Sequence, residues 1–162
     1  LPGEKRMKRF LIALLAVALA APAAWAQRGT YVVQREASLS SSAEVVTVRL
    51  PSGTAVTAGG FRVSVYSSDD VEITVERDGT YSSGTSLTVN KTHTGDAANT
   101  ALATYGTSIS GTTVLHKYEV VGYTTLSVSL EDVSLAAGEA LTIRTESATV
   151  SKLLVNVRWR EY

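Results

Sequence analysis

His93 and His116 are the only imidazoles in these 162 residues, and no cysteine accompanies them. Nucleophilic catalysis of the Ser-His-Asp kind needs a histidine to take the serine proton and an acid to orient it. His93 stands three residues before Asp96 in "HTGD", but no Gly-x-Ser-x-Gly turn presents a nucleophile to it. His116, in "TVLHKYEVV", is in phase with Val114, Tyr118 and Val120, so it reads as a hydrogen-bonded structural residue on a half-buried strand face. Zinc takes three or four Cys, His or carboxylate ligands, which two scattered histidines do not supply. Calcium accepts carboxylates and carbonyls from loops, and Asp69-Asp70, Asp78, Asp96 and Glu131-Asp132 fall at turns. Aspartate is favoured in turns for its own local hydrogen bonds, and no EF-hand spacing occurs, so no metal or other cofactor is expected. Glu72 and Glu76 share a strand face across Thr74, which reads as a solvated sheet face rather than the convergent carboxylates of a glycosidase. The chain is therefore expected not to be an enzyme.

Tyrosines offer more. Tyr81, Tyr105 and Tyr123 fall in loops or turns, where a ring with a polar tip suits a binding surface, and Asp96 and Asn99 can serve as hydrogen-bonding partners. These five form the expected ligand-binding set, with a cell-surface glycan or protein as its partner. Tyr31, Tyr66 and Tyr162 lie in or beside strands, on faces expected to be partly exposed. Tyr31, Val32 and Val33 belong to "TYVVQRE", followed by the serine-rich "SLSSSAE". That segment can pair with its own sheet, the favoured reading, or serve as an assembly strand on another subunit.

The elements that must position these residues are strands. Serine and threonine make up over a quarter of residues 27–162, and Val, Leu and Ile alternate with polar residues at the period of a half-buried strand. Phe61 to Tyr66 and Val71 to Glu76 flank "SSDD" and read as neighbouring antiparallel strands. The same period recurs in Thr30 to Glu36, Ala43 to Leu50, Ser86 to Lys91, Thr113 to Val121, Thr124 to Leu130, Leu141 to Thr145 and Lys152 to Glu161. Eight or nine strands in one domain predict an all-β fold, a two-sheet antiparallel β-sandwich. A jelly-roll arrangement fits the count, and an immunoglobulin-like sandwich is the alternative. Residues 92–112 break the rhythm. They read as a partly structured crossover, favoured over a dedicated binding loop, with a short helix from Asp96 to Tyr105 capped by Asp96.

The opening residues are a class apart. From Met7, the charges of Lys8 and Arg9, the apolar run Phe10 to Ala21 and the small residues of Ala24-Trp25-Ala26 give the pattern of an export signal helix cleaved after Ala26. Residues 1–26 are read as upstream extension plus signal, and 27–162 as a single β-sandwich domain. About a dozen apolar residues span roughly 18 Å as a helix, too short for a transmembrane anchor. Removing Lys5, Arg6, Lys8, Arg9 and Glu4 from fifteen basic and fifteen acidic residues leaves 11 against 14. That weakly acidic balance argues against nucleic acid as a partner. The expectation is an extracytoplasmic bacterial protein, secreted, surface-bound or periplasmic. It would act as a structural or adhesive subunit of a surface, matrix or filament, associating with itself through sheet edges or faces. The alternative is a carbohydrate- or other ligand-binding module.

Overall fold

The computed structural model describes residues 27–82, 84–106, 109–146 and 149–162. The expected export signal lies outside them. In chain order the strands are β1 (Gly29–Leu39), β2 (Ala43–Arg49), β3 (Ala58–Ser67), β4 (Val71–Arg77), β5 (Thr80–Tyr81), β6 (Thr85–Leu87), β7 (Asn90–Lys91), β8 (Leu102–Tyr105), β9 (Ile109–Ser110), β10 (Thr113–Val120), β11 (Thr124–Leu135), β12 (Ala140–Thr145) and β13 (Val150–Glu161). No helix occurs among the described residues. A five-stranded sheet, β11-β3-β13-β1-β7, faces a six-stranded one, β10-β4-β12-β2-β8-β6, in an antiparallel sandwich.

The eight long strands pair in a nested order. β1 pairs with β13, β2 with β12, β3 with β11 and β4 with β10, all antiparallel. Each long strand is followed by one in the opposite sheet, except where β4 gives way to the segment 78–112. This corrects the expectation that Phe61 to Tyr66 and Val71 to Glu76 are neighbours. Between them the chain turns a corner from one sheet to the other, held by the Asp69 carboxylate, which accepts the Ser151 N–H at 2.7 Å and the Ser68 hydroxyl at 2.9 Å. Those bonds keep its pKa below the usual carboxylate range.

Alternation fills the space between the sheets. Val33, Val63, Val65, Val155 and Val157 from one sheet meet Val46, Val48, Ile73, Val75, Leu141 and Ile143 from the other, all of them buried. At one end Trp159 lies between Tyr31 and Phe61, with ring centroids 6.0 and 6.5 Å away. Tyr31 is fully buried, against the expectation of a partly exposed ring. Its phenol donates to the Ala97 carbonyl at 3.0 Å, and burial, with Glu161 and Asp96 nearby, raises its pKa.

Residues 78–112 run across the six-stranded sheet. β4 ends at Arg77, beside Leu141 and Thr113 at one end of the sheet. β6 starts at Thr85, paired with Tyr105 at the far edge of the sheet, four strands away. The return from β8 to β10 runs alongside it in the opposite direction, from Tyr105 beside Thr85 to Thr113 beside Arg77. The inner face is filled by core, so both links pass over the outer one, and the pairs Thr80↔Ser110 and Tyr81↔Ile109 tie them into a strap. Gly79 lets the two links approach: a Cβ there would stand 2.8 Å from Thr112 Cγ2 and 2.9 Å from Ile109 Cγ2, and its φ is +102°.

The strap changes the fate of the outer face. Thr47, Thr74, Thr142 and Glu76 are at most 4 % exposed, although their strand positions point away from the core. Glu76 is therefore no solvated sheet charge: its Oε1 accepts Arg144 Nε at 3.1 Å. The expected helix from Asp96 to Tyr105 is likewise absent, and Leu102–Tyr105 form β8 against β2. Ser86 to Lys91 is two strands rather than one, β6 and β7, in different sheets.

Candidate assembly surface

The expected binding residues do not converge. Asp96 sits at the Gly29 end of the five-stranded sheet, where its carboxylate accepts the N–H groups of Thr30 and His93 at 3.1 and 3.2 Å. Asn99 donates its amide to the Ala101 carbonyl nearby. Tyr123, 81 % exposed with φ +62°, sits at the other end, its N–H on the Ser67 carbonyl. Thr30 pairs with Arg160, and Ser67 with Leu153 on the same strand, so the two positions are roughly 23 Å apart at about 3.3 Å per residue. Tyr105 is half-buried under the Arg35 guanidinium, 4.0 Å from the ring centroid. Tyr81 contributes its backbone to the strap.

The expected assembly strand is paired within its own chain. β1 matches β13 over ten residue pairs, and Tyr31 and Val33 face the core. Its free side is also taken up. β7 pairs with Tyr31 and Val32, Thr92 N–H donates to the Thr30 carbonyl at 2.8 Å, and Ala97 N–H to the Arg28 carbonyl at 3.0 Å. Glu161, fully buried, fastens this segment by accepting the N–H groups of Thr100 and Ala101 at 2.9 Å. Beyond β7, the outward residues are polar or charged, Gln34 and Glu36, and Glu36 pairs with Lys152 at 3.3 Å.

β11 is the opposite edge of the same sheet, with no strand beyond it among the described residues. From Thr124 to Leu130 it reads TTLSVSL, seven residues without a charge or a proline. Only then come Glu131 and Asp132 and an irregularity in register between Leu130 and Ser134. Outward it presents Thr125, Ser127 and Ser129, and Ser127 shares a 2.9 Å hydroxyl hydrogen bond with Ser64 on β3. Inward it presents Leu126 and Val128, each half-buried.

Across the open side of the sandwich runs β10, the edge of the six-stranded sheet. A bulge at Leu115 puts Val114 opposite Glu76 and His116 opposite Val75, so the two are on different faces and not in phase. His116 stacks on Tyr118 at 5.8 Å, both half-buried, and burial chiefly, with Asp132, raises the Tyr118 phenol pKa. Leu115, Tyr118 and Leu126 pack against the margin of the core and make an apolar seam between the two edges. Val114, Val121 and Tyr123, on β10 or the turn after it, are exposed.

No family model, curated protein or solved structure matches this chain. Function is read from the geometry. Among the described residues no three His, Asp or Glu side chains are placed to hold a metal ion. The sequence signal for the β11 edge is the lack of charge in "TTLSVSL". It is silent until pairing shows that this strand is at the margin.

Proposed function

We propose that this chain is an exported, non-enzymatic structural or adhesive subunit of a bacterial surface, matrix or filament. In this reading it associates with a second copy by adding strands at the β11 edge. The observation that carries it is the uncharged run Thr124 to Leu130 at the margin of a five-stranded sheet. Sheet edges are ordinarily guarded by charge, proline, bulges or a covering segment, because unpaired N–H and C=O groups template pairing with another chain. Two β11 strands meeting antiparallel across a two-fold axis would continue the sheet and close an isologous contact, with the Leu126 and Tyr118 seams brought together. Export rests on the Met7 to Ala26 pattern.

We also read the sandwich as a jelly roll. Eight long strands, four in each sheet, pairing first with last and inward in turn, are a long hairpin rolled up, which supports that topology over an immunoglobulin-like one.

Sedimentation of the exported protein tests the assembly reading. Association should rise with concentration, and Thr125→Lys with Ser127→Lys should return it to monomer while leaving the inward face intact. A strict monomer up to about 1 mM, the limit of a weak interface, would count decisively against it. N-terminal sequencing of the exported protein should begin at Gln27.

A further inference from the structure

The outer face of the five-stranded sheet carries three arginines on neighbouring strands. Arg62 on β3 is directly opposite Arg158 on β13, and Arg160 is two residues further along β13 on the same face. Residues so placed have Cβ atoms about 5 Å apart across the strands and about 6.6 Å apart along one. All three are exposed. Like charges directly opposite each other destabilise a sheet, and this pair stands within residues 27–162, which are acidic on balance.

Little within the chain offsets that repulsion. Arg158 and Arg160 have no hydrogen bond or ion pair to another described residue. Arg62 meets Glu131 only at 3.8 Å, with both side chains more than half exposed, a pair worth little in water. Glu131 Oε1 also accepts the Ser129 hydroxyl at 2.9 Å. Asp96 and Glu161, at the same end of the sheet, are spent on backbone N–H groups. Between the arginines is a cleft of about 80 Å³, lined by them, Thr30 and Gly60. That is far below the ~300 Å³ at which small-molecule pockets begin, so it has room for one oxyanion group and none for a sugar ring. A bulge keeps it open. The register of β3 on β13 slips between Arg158 and Arg160, and Gly60 takes φ +60° there. A Cβ on Gly60 would stand 3.5 Å from Glu131 Oε2 and 3.9 Å from Arg160 Nη1, in the floor of the cleft.

We infer that this cleft is an oxyanion site, taking one tetrahedral dianion, phosphate or sulfate, either free or borne on a polymer. Guanidinium forks match the oxygens of such a group in bidentate pairs, and arginine stays charged at any working pH. Three forks suit an ion with several acceptor oxygens and two charges better than a carboxylate, whose two oxygens a single fork satisfies. An anion there also relieves the repulsion between Arg62 and Arg158, so its binding stabilises the folded chain. This site is on the face of the sheet and does not depend on association at β11.

Arginine Nε–H spectra of the isotopically labelled protein, titrated with inorganic phosphate and with sulfate at constant ionic strength, test it. Chloride and acetate serve as the spherical and carboxylate arms. Phosphate or sulfate should shift the Arg62, Arg158 and Arg160 signals saturably, with a Kd of about 1 mM or tighter, and raise the Tm. Arg158→Gln and Arg160→Gln, both at exposed positions, should each weaken binding by about tenfold. Lys152→Gln, on the same face toward the other end of β13, should bind as the parent does. Dextran sulfate and polyphosphate, against unsulfated dextran, separate the two sources. Tighter binding per sulfate or phosphate group than the free ion shows assigns the site to a polymer, and equal or weaker binding assigns it to the free ion. No saturable response to phosphate or sulfate, an equal response to chloride or acetate, or full binding after Arg158→Gln with Arg160→Gln would overturn the inference.

Discussion

At the Gly29 end of the β1 side of the five-stranded sheet, Asp96 and a short strand take up backbone groups of Thr30 to Val32; on the β11 side nothing described does so. Asp96 holds the Thr30 N–H, Glu161 holds those of Thr100 and Ala101, and β7 covers Tyr31 and Val32. β11 offers seven uncharged residues flanked by a half-buried apolar seam. Both margins belong to one sheet and share its twist and its partners in the core. What separates them is whether a neighbouring segment brings acceptors to the edge. An edge is closed by hydrogen-bond supply as much as by charge, and the chain spends two buried or half-buried carboxylates on one side only.

Removing that supply should erase the difference. Glu161→Ala leaves the Thr100 and Ala101 N–H groups buried without an acceptor and should cost about 3 kcal/mol, read by urea unfolding. It should also add a second mode of association as residues 92–101 detach. Glu161→Gln, which keeps a carbonyl oxygen, should recover much of the loss. Equal stability of Glu161→Ala and parent would mean that the carboxylate does not seal the edge.

A smaller effect is expected at Asp96, which is partly exposed. Asp96→Ala should lose about 1–2 kcal/mol and speed hydrogen exchange at the Thr30 and His93 amides. Unchanged protection at Thr30 would show that β7 alone closes this end.

The charged guard further along β1 should matter least to folding. Glu36→Ser breaks only the exposed pair with Lys152 and should change stability by less than about 0.5 kcal/mol. Light scattering should nonetheless show slightly stronger association, because an uncharged β1 margin begins to resemble β11. No change in association would assign the guarding entirely to residues 90–101.

Near the far end of β11, Glu139 accepts the Ala136 N–H at 2.6 Å and pairs with Arg77 at 2.8 Å. The backbone bond first, then Arg77, hold its pKa below the usual carboxylate range against partial burial. A group depressed on folding contributes stability above its unfolded pKa, and that contribution is lost as pH falls through the folded value. Glu139→Gln should therefore lower stability slightly at neutral pH and leave it almost unchanged below the folded pKa, flattening a small part of the acid limb of stability against pH. An acid limb identical to the parent's would remove Glu139 from that account.

Much of the strand content was legible from residue order, because side-chain alternation is local: Val71, Ile73 and Val75 state their face whatever they pair with. Pairing was not legible, since "SSDD" makes an equally good turn within a sheet or around its corner, and only the filled interior decides which. Among the candidate residues, Asp96 hydrogen-bonds the Thr30 and His93 N–H groups and Asn99 the Ala101 carbonyl, partners that residue order does not reveal. Tyr123 was rightly placed in a turn, at the far end of the molecule from Asp96.

Residue order is enough to say that this chain is built of strands with a valine-rich face and a serine- and threonine-rich face, because a period of two needs no partner to be read. Tertiary structure alone decided which strands became margins and which polar face was covered. Tyr31 is core because Trp159 and Phe61 surround it. Thr47, Thr142 and Glu76 are buried because the 78–112 strap crosses over their sheet. Both outcomes depend on residues dozens of positions away meeting in space, which no local pattern encodes.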